Sequence, residues 1–325
     1  MVNFPKLSNA LIMERLQPPA DKVRMVLDTD TYNEIDDQFA VVHALLSPEK
    51  LVVEALYAAP FFNERAATPG EGMEKSHAEL LRLLSRLGME AEGLVHRGSD
   101  DFLGDNARPL HSPAVDDLIA RAMASEDPLY VVAIGALTNI ASAILIEPAI
   151  IEKIVVVWLG GTAFHWPHAL EFNLLGDVEA ARLVFDCGVP LVMVPCAGVT
   201  THFRTSVPEI DLYVEGKGAI GDYLAETFKT YSTDHFGWSK EIWDMVAIAY
   251  MLDHRWMPSR IVSSPVIAQK TSGKVGIRTP NVWETQPLIW AFDPARHPIR
   301  YAYYVERDPI FRDFFMKLER WAQEN

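Results

Sequence analysis

The stretch VRMVLDTDTYNEIDDQFAVVHALLSP, residues 23–48, decides the fold. It opens on a short apolar run, passes through an acidic loop, and continues with Phe39, Val42 and Leu46 on one helical face until Ser47-Pro48 stops the pattern. The same order recurs down the chain. LVVEALYA from Leu51, LYVVAI from Leu129, IVVVWL from Ile154 and PLVMV from Pro190 are short, nearly continuous apolar runs, as strands buried on both faces should be. Each precedes a helical pattern, such as LTNIASAILIEP at 137–148, which ends before Pro148. Strand, loop and helix in repetition predict an α/β fold with a mostly parallel central sheet flanked by helices. Beyond Pro258 the pattern changes to shorter alternating stretches and an amphipathic helix at about 309–322, read as a covering element of the same domain. No polar or Pro/Gly-rich linker divides the chain, so residues 1–325 are expected to form one domain, the first 20 or so being an extension.

Composition narrows the function. With 325 residues, 49% hydrophobic and 22% charged, the chain has an ordinary globular make-up and can bury a large core. Its formal net charge of -15 makes nucleic acid a poor partner, because phosphate binding draws on Lys and Arg. The N-terminal stretch lacks the basic start and apolar run of a secretory signal, and no segment approaches the roughly 18 uninterrupted apolar residues of a membrane span. A cytoplasmic protein without membrane contact is expected. The two cysteines, Cys187 and Cys196, suggest neither a disulfide framework nor a thiolate zinc site and read as small buried hydrophobes.

LDTDTYNEIDDQ carries four aspartates at a strand end. Asp28 and Asp30 leave the strand on one side, because strand side chains alternate. Asp36 and Asp37 stand at a helix start, where a carboxylate can cap. Capping accounts for one aspartate, not four. Four carboxylates held together without a cation would repel one another and resist ionisation, so a bound Ca²⁺ or Mg²⁺ is the simplest explanation. In open α/β sheets the loops at the carboxyl ends of the strands converge on the ligand, which directs attention to Asp28 and Asp30, 59–63, 135–138 and the loop from Gly160.

Two families carry aspartates in such a pattern. Asp28-Thr29-Asp30-Thr31 resembles the strand-end motif of haloacid-dehalogenase-type, Mg²⁺-dependent phosphatases, but these also need an acidic pair closing a later strand, and Gly176-Asp177 opens a helix instead and reads as an N-cap. The inosine-uridine-preferring nucleoside hydrolase family is matched at four separated places covering most of 23–255. The DTD followed by DD resembles its N-terminal metal motif; GALTNIASAI (135–144), EFNLLGDVEAARLVF (171–185) and WDMVAIAYMLD (243–253) resemble its GPLTN, EFN-x-x-x-DPEAA and HDxxAVAY segments, in the right order.

The resemblance implies a Rossmann-like nucleoside hydrolase fold and Ca²⁺-dependent hydrolysis of the N-glycosidic bond of purine or pyrimidine ribonucleosides, in a homodimer or homotetramer. It implies that Asp30, Asp37, Asp244 and the backbone carbonyl of Thr138 hold the Ca²⁺, with Mg²⁺ the lesser alternative. Asp36 would bind ribose hydroxyls, Glu171 and Asn173 the sugar's far hydroxyls, with Phe172 turned away if that segment is extended. Asp28 would stand behind the ligands and orient them. Asp30 would take the proton of a water acidified by the ion.

The chain departs from the family at three places. Trp243 stands where many members have histidine, and tryptophan can stack on a base but cannot protonate it. Tyr231 and His235, in KTYSTDHFGW (229–238), are the candidates to assist the leaving base. Between Asp30 and Asp36 the loop TYNEI is two residues longer than usual, so Asn33 and Glu34 are expected to bulge into or over the pocket. AAPFFN (58–63) replaces the usual Gly-Asn, with Asn63 standing in for the missing amide and Phe61 or Phe62 closing the base side. These changes leave the base open. They also allow a ribose- or nucleoside-binding protein that kept the ion and lost the acid.

Overall fold

A computed structural model describes residues 2–269 and 287–325. The five expected runs form β1 (Val23–Thr29), β2 (Leu51–Ala58), β4 (Leu129–Ala133), β5 (Ile154–Leu159) and β6 (Leu191–Val194), with β3 (Val95–Arg97) as a short addition. The pair β7 (Arg204–Thr205) and β8 (Lys240–Glu241) is antiparallel, as is the pair β10 (Val266–Gln269) and β11 (Leu288–Ala291). β9 (Ser259–Ser263) and β12 (Pro298–Ala302) complete the set. The helices are α1 (Asn9–Arg15), α2 (Asp36–Leu45), α3 (Pro69–Leu87), α4 (Pro113–Met123), α5 (Thr138–Ile146), α6 (Phe172–Gly176), α7 (Val178–Asp186), α8 (Val207–Tyr213), α9 (Gly218–Thr230), α10 (Met245–Leu252) and α11 (Arg307–Glu324).

The main sheet has the order β3-β2-β1-β4-β5-β6-β12-β9 and is parallel except for β9 at its edge. The mostly parallel α/β fold expected from the sequence is therefore present. The alternation of strand side chains divides the interior in two. Met25 and Leu27 pack with Phe39, Leu80, Phe228, Ile248 and Phe314 on one face, while Val26, Val131, Val156 and Trp158 pack with Leu118, Ile140 and Val184 on the other.

One expectation is corrected. The chain beyond Pro258 does not merely cover the domain, because β12 enters the main sheet beside β6 and brings β9 with it. β12 begins at a proline and pairs with a strand about a hundred residues earlier, so no local pattern announces it. The N-terminal extension contains α1, whose Ile12 joins the core, and the Leu16 carbonyl accepts a bond from Arg300. No helix among the described residues is long and apolar enough to cross a membrane.

Two features position the site. β1 lies between β2 and β4, so the chain winds one way from β1 and the other way from β4, opening a crevice at their carboxyl ends. Beside it, α2 is buried from Asp36 to Ala44 and α10 throughout, and the two helices pack together. Both therefore bring their N-termini to the crevice from within the core.

Candidate active site

Asp28 and Thr29 end β1, and Asp30 follows in the crevice. Asp28 points to the α5 side, where its Oδ2 accepts from Asn139 Nδ2 at 2.7 Å. Thr29 points to the other face and donates its hydroxyl to Asp37 Oδ1. Asp30 adjoins the loop before α5: a Cβ added at Gly135 would stand 3.1 Å from its carboxyl group, so glycine is what lets that backbone pass. Asp36 and Asp37 begin α2, and Asp244 precedes α10.

Asp244 makes no side-chain capping bond. Instead its own N–H donates to Asp36 Oδ2 at 3.3 Å. Among the described residues, ligand oxygens of Asp36, Asp37 and Asp244 lie within 4.8 Å of one another. Asp30 is not in that trio but stands next to it, with its buried Oδ2 lacking a hydrogen-bond partner.

Burial dominates the electrostatics of the cluster. It pushes Asp37 up to about 7, helped by the charge of Asp36 and opposed by the Thr29 bond. Asp36 rises to about 6, held back by the ammonium of Lys240. Asp28 reaches about 7 despite its bond from Asn139. Asp30 and Asp244 are raised well above the ordinary carboxylate range by burial and then by the neighbouring aspartates. The N-termini of α2 and α10 offset only part of this repulsion. All the donors are hard oxygens, the set that suits Ca²⁺ or Mg²⁺.

Asp30, Asp36, Asp37 and Asp244 line a cavity of about 490 Å³, within the usual range for a small-molecule site. Glu171, Asn173 and Cys196 line it beside the aspartates, and Phe62, Phe102, Phe172, Tyr231 and Trp243 form aromatic walls. A wider hollow between α8 and α11 is lined by residues such as Arg307, Phe311 and Met316 and has no comparable buried acidic group.

The segment after Glu171 is not extended. It forms α6, because Glu171 caps it by accepting from the N–H groups of Asn173 and Leu174, and from Gly161 N–H at 2.6 Å. Phe172 consequently lines the cavity beside its neighbours instead of turning away. Asn173 donates to the carbonyls of Ile134 and Leu159, both at 3.0 Å. Asp177 caps α7 and also accepts from the Thr138 hydroxyl at 2.8 Å, so it serves the fold as the sequence suggested. Thr138 is fully buried at the start of α5, outside the cavity lining.

The residues expected on the base side divide. Asn33, Glu34, Asn63 and Phe62 line the cavity, whereas Phe61 is buried in the core. Asn63 spends its amide on Asn33 Oδ1 at 2.7 Å. Tyr231 lines the cavity, and its hydroxyl donates to Glu34 Oε1 at 3.3 Å. His235 lies outside the lining, with Nε2 against the carbonyls of Lys229 and Ser232. Both cysteines are buried thiols, as expected, though Cys196 also reaches the cavity, where burial and Glu171 push its pKa up.

Phe102 and Lys240 are among the contributors that sequence reasoning missed. Phe102 comes from the loop after β3, a strand too short to recognise. Lys240 is 5% exposed, pairs with Glu34 at 2.5 Å, and lies 4.5 Å from the centre of the Trp243 ring. Burial lowers its pKa, but Asp36 and Glu34 outweigh that and hold it above the ordinary lysine value. A lysine in a surface-like KEIWD segment gives no hint of such burial.

Asn139 ties the site to the fold, donating to Asp28 and accepting from Ser99 N–H at 2.8 Å. Asn139→Ala is expected to lower unfolding free energy by about 2 kcal/mol, because two buried groups lose partners. Urea unfolding checks this: the midpoint should fall with the slope unchanged.

The model of a family described as inosine-uridine preferring nucleoside hydrolase matches residues 25–296. The chain is 27% identical over 235 residues to "Probable uridine nucleosidase 2" of Arabidopsis thaliana, covering 66% of this chain and 71% of that one. It is 30% identical over 224 residues to pyrimidine-specific ribonucleoside hydrolase RihA of Enterobacter sp. (strain 638), covering 62% and 67%. A solved plant nucleoside hydrolase, the PpNRh1 enzyme, superposes with a TM-score of 0.69 at 23% identity over 91% of this chain and 98% of that one, a likeness of fold.

Proposed function

The chain belongs to the inosine-uridine preferring nucleoside hydrolase family, and from that premise we propose that it hydrolyses the N-glycosidic bond of pyrimidine ribonucleosides, uridine first, in a Ca²⁺-dependent reaction. The observation that carries this reading is the buried aspartate cluster in a cavity that Phe62, Phe102, Phe172, Tyr231 and Trp243 also line. The carboxylates suit a sugar diol and a hard cation; the rings suit a base.

Asp37, Asp244 and Asp30 would hold the ion, with the Thr138 carbonyl added by the family resemblance. Asp36 completes the tightest trio, yet it already faces Lys240 and the Asp244 N–H. Asp30 has an oxygen with no partner at all, which favours it as the ligand and leaves Asp36 to the ribose hydroxyls. When bound, the ion supplies positive charge that neutralises the carboxylates and acidifies a neighbouring water.

The chain's own groups do the rest. Asp30 takes the proton of the attacking water as the water oxygen bonds to C1′. Asp36, Glu171 and Asn173 orient the ribose, while Asp28, held by Asn139, keeps the end of β1 in place behind Asp30. Phe62, Phe102, Phe172 and Trp243 enclose the base and exclude water. Tyr231 lines the cavity and His235 does not, which supports Tyr231 as the group beside the departing base.

The test is release of reducing sugar from uridine, cytidine, inosine and adenosine, with and without a chelator. Uridine is expected to be turned over best, and chelation to abolish turnover until calcium is restored. Calcium-dependent ribose binding without release of any base would make the protein a binder instead.

A further inference from the structure

Lys240 and Glu34 meet from distant parts of the sequence at the base-side wall. Glu34 belongs to the loop before α2 and lines the cavity. Lys240 sits on β8, which β7 holds through the Thr205↔Lys240 register and an Arg204–Glu241 ion pair. The ammonium bonds Glu34 Oε2 at 2.5 Å and the Glu241 carbonyl at 3.2 Å, and lies 4.5 Å and 5.2 Å from the ring centres of Trp243 and Tyr231. Both rings line the cavity. Asp36 is a further carboxylate in its field.

A lysine this deeply buried is uncommon, and an isolated buried ion pair adds little to stability over a well-packed apolar pair. The placement suits a different purpose. A fixed cation backing aromatic rings, in surroundings poor in water, acts strongly on charge that develops nearby.

Resting on the hydrolase reading above, we propose that Lys240 is a positioning residue for the leaving group: it fixes the Trp243 and Tyr231 rings against the base and neutralises Glu34 and Asp36, so that the base departs as an anion without meeting uncompensated carboxylates. The C1′–N bond breaks with its electron pair remaining on the base nitrogen. The water oxygen bonds to C1′, its proton goes to Asp30, and the freed anion takes a proton from solvent. No acid is then required at the position of Trp243.

The test compares uridine with p-nitrophenyl β-D-ribofuranoside, whose nitrophenolate is already a stable anion and needs no such help. Lys240→Met is expected to lower kcat on uridine by about 10²-fold but on the nitrophenyl riboside by less than about threefold, while Lys240→Arg stays within about tenfold of the parent protein on uridine. Retained nitrophenyl turnover also shows that the variant is folded. Equal losses on both substrates, no loss on uridine, or an arginine variant as poor as the methionine one would each overturn the proposal. Failure of the unaltered protein on both substrates would instead overturn the hydrolase reading, and this proposal with it.

Discussion

Asp30→Asn is expected to reduce uridine turnover about 10³-fold while leaving the protein folded, within the range for loss of a positioned general base. The change is isosteric and removes a charge whose Oδ2 is buried without a partner. Burial, then Asp37 and Asp36, already make that charge costly. The metal-free variant should therefore melt a few degrees higher than the metal-free parent, about 1 kcal/mol or more in stability. Loss of activity together with a gain in stability marks a group kept for chemistry. Reducing-sugar assays and a thermal melt test both halves, and unchanged turnover would remove Asp30 from proton transfer.

The second large effect couples pH, metal and stability. Asp36 is pushed to about 6 and Asp28 and Asp37 to about 7, with Asp30 and Asp244 also raised, chiefly by burial. In the unfolded chain these groups titrate near 4. Between about pH 4 and 7 the metal-free folded state thus binds more protons than the unfolded state, so stability falls as pH rises. The contribution is fully present below the unfolded pKa and is lost on rising through 6 to 7. Because the carboxylates share one space, protonating one relieves the others, and the total is on the order of 4 kcal/mol, roughly 10 °C in melting temperature. Calcium favours the ionised forms and should reverse the trend at neutral pH. Melting curves from pH 5 to 8, with chelator and with millimolar calcium, should diverge as pH rises. Superimposed curves would exclude the ion from this cluster.

Much of the architecture is legible in the sequence because its strands are buried on both faces and so read as continuous apolar runs. β3 and β12 escape that logic, the first by its three-residue length and the second by its distant partner. In the site, the aspartates of 28–37 betray themselves by their density, and Asp244 only by the resemblance of WDMVAIAYMLD to a family segment, since its place before a helix reads equally well as a cap. Glu171 looked like one side of an extended segment; it caps α6 through the N–H groups of Asn173 and Leu174, and the Gly161 N–H that also holds its carboxylate is supplied by the fold. Lys240 is the hardest to foresee, since a lone lysine carries no pattern and its burial follows from where Glu34 lands.

The acidic residues ride on α2 and α10, which are enclosed by the core, whereas Glu34 and Lys240 ride on a loop and a two-residue strand. Substitutions in the two groups should therefore draw on separate reserves and combine nearly additively where the residues do not touch. If the proposed roles hold, relatives or engineered versions would trade one nucleobase for another by redesigning the outer pieces alone, with the enclosed helices unchanged.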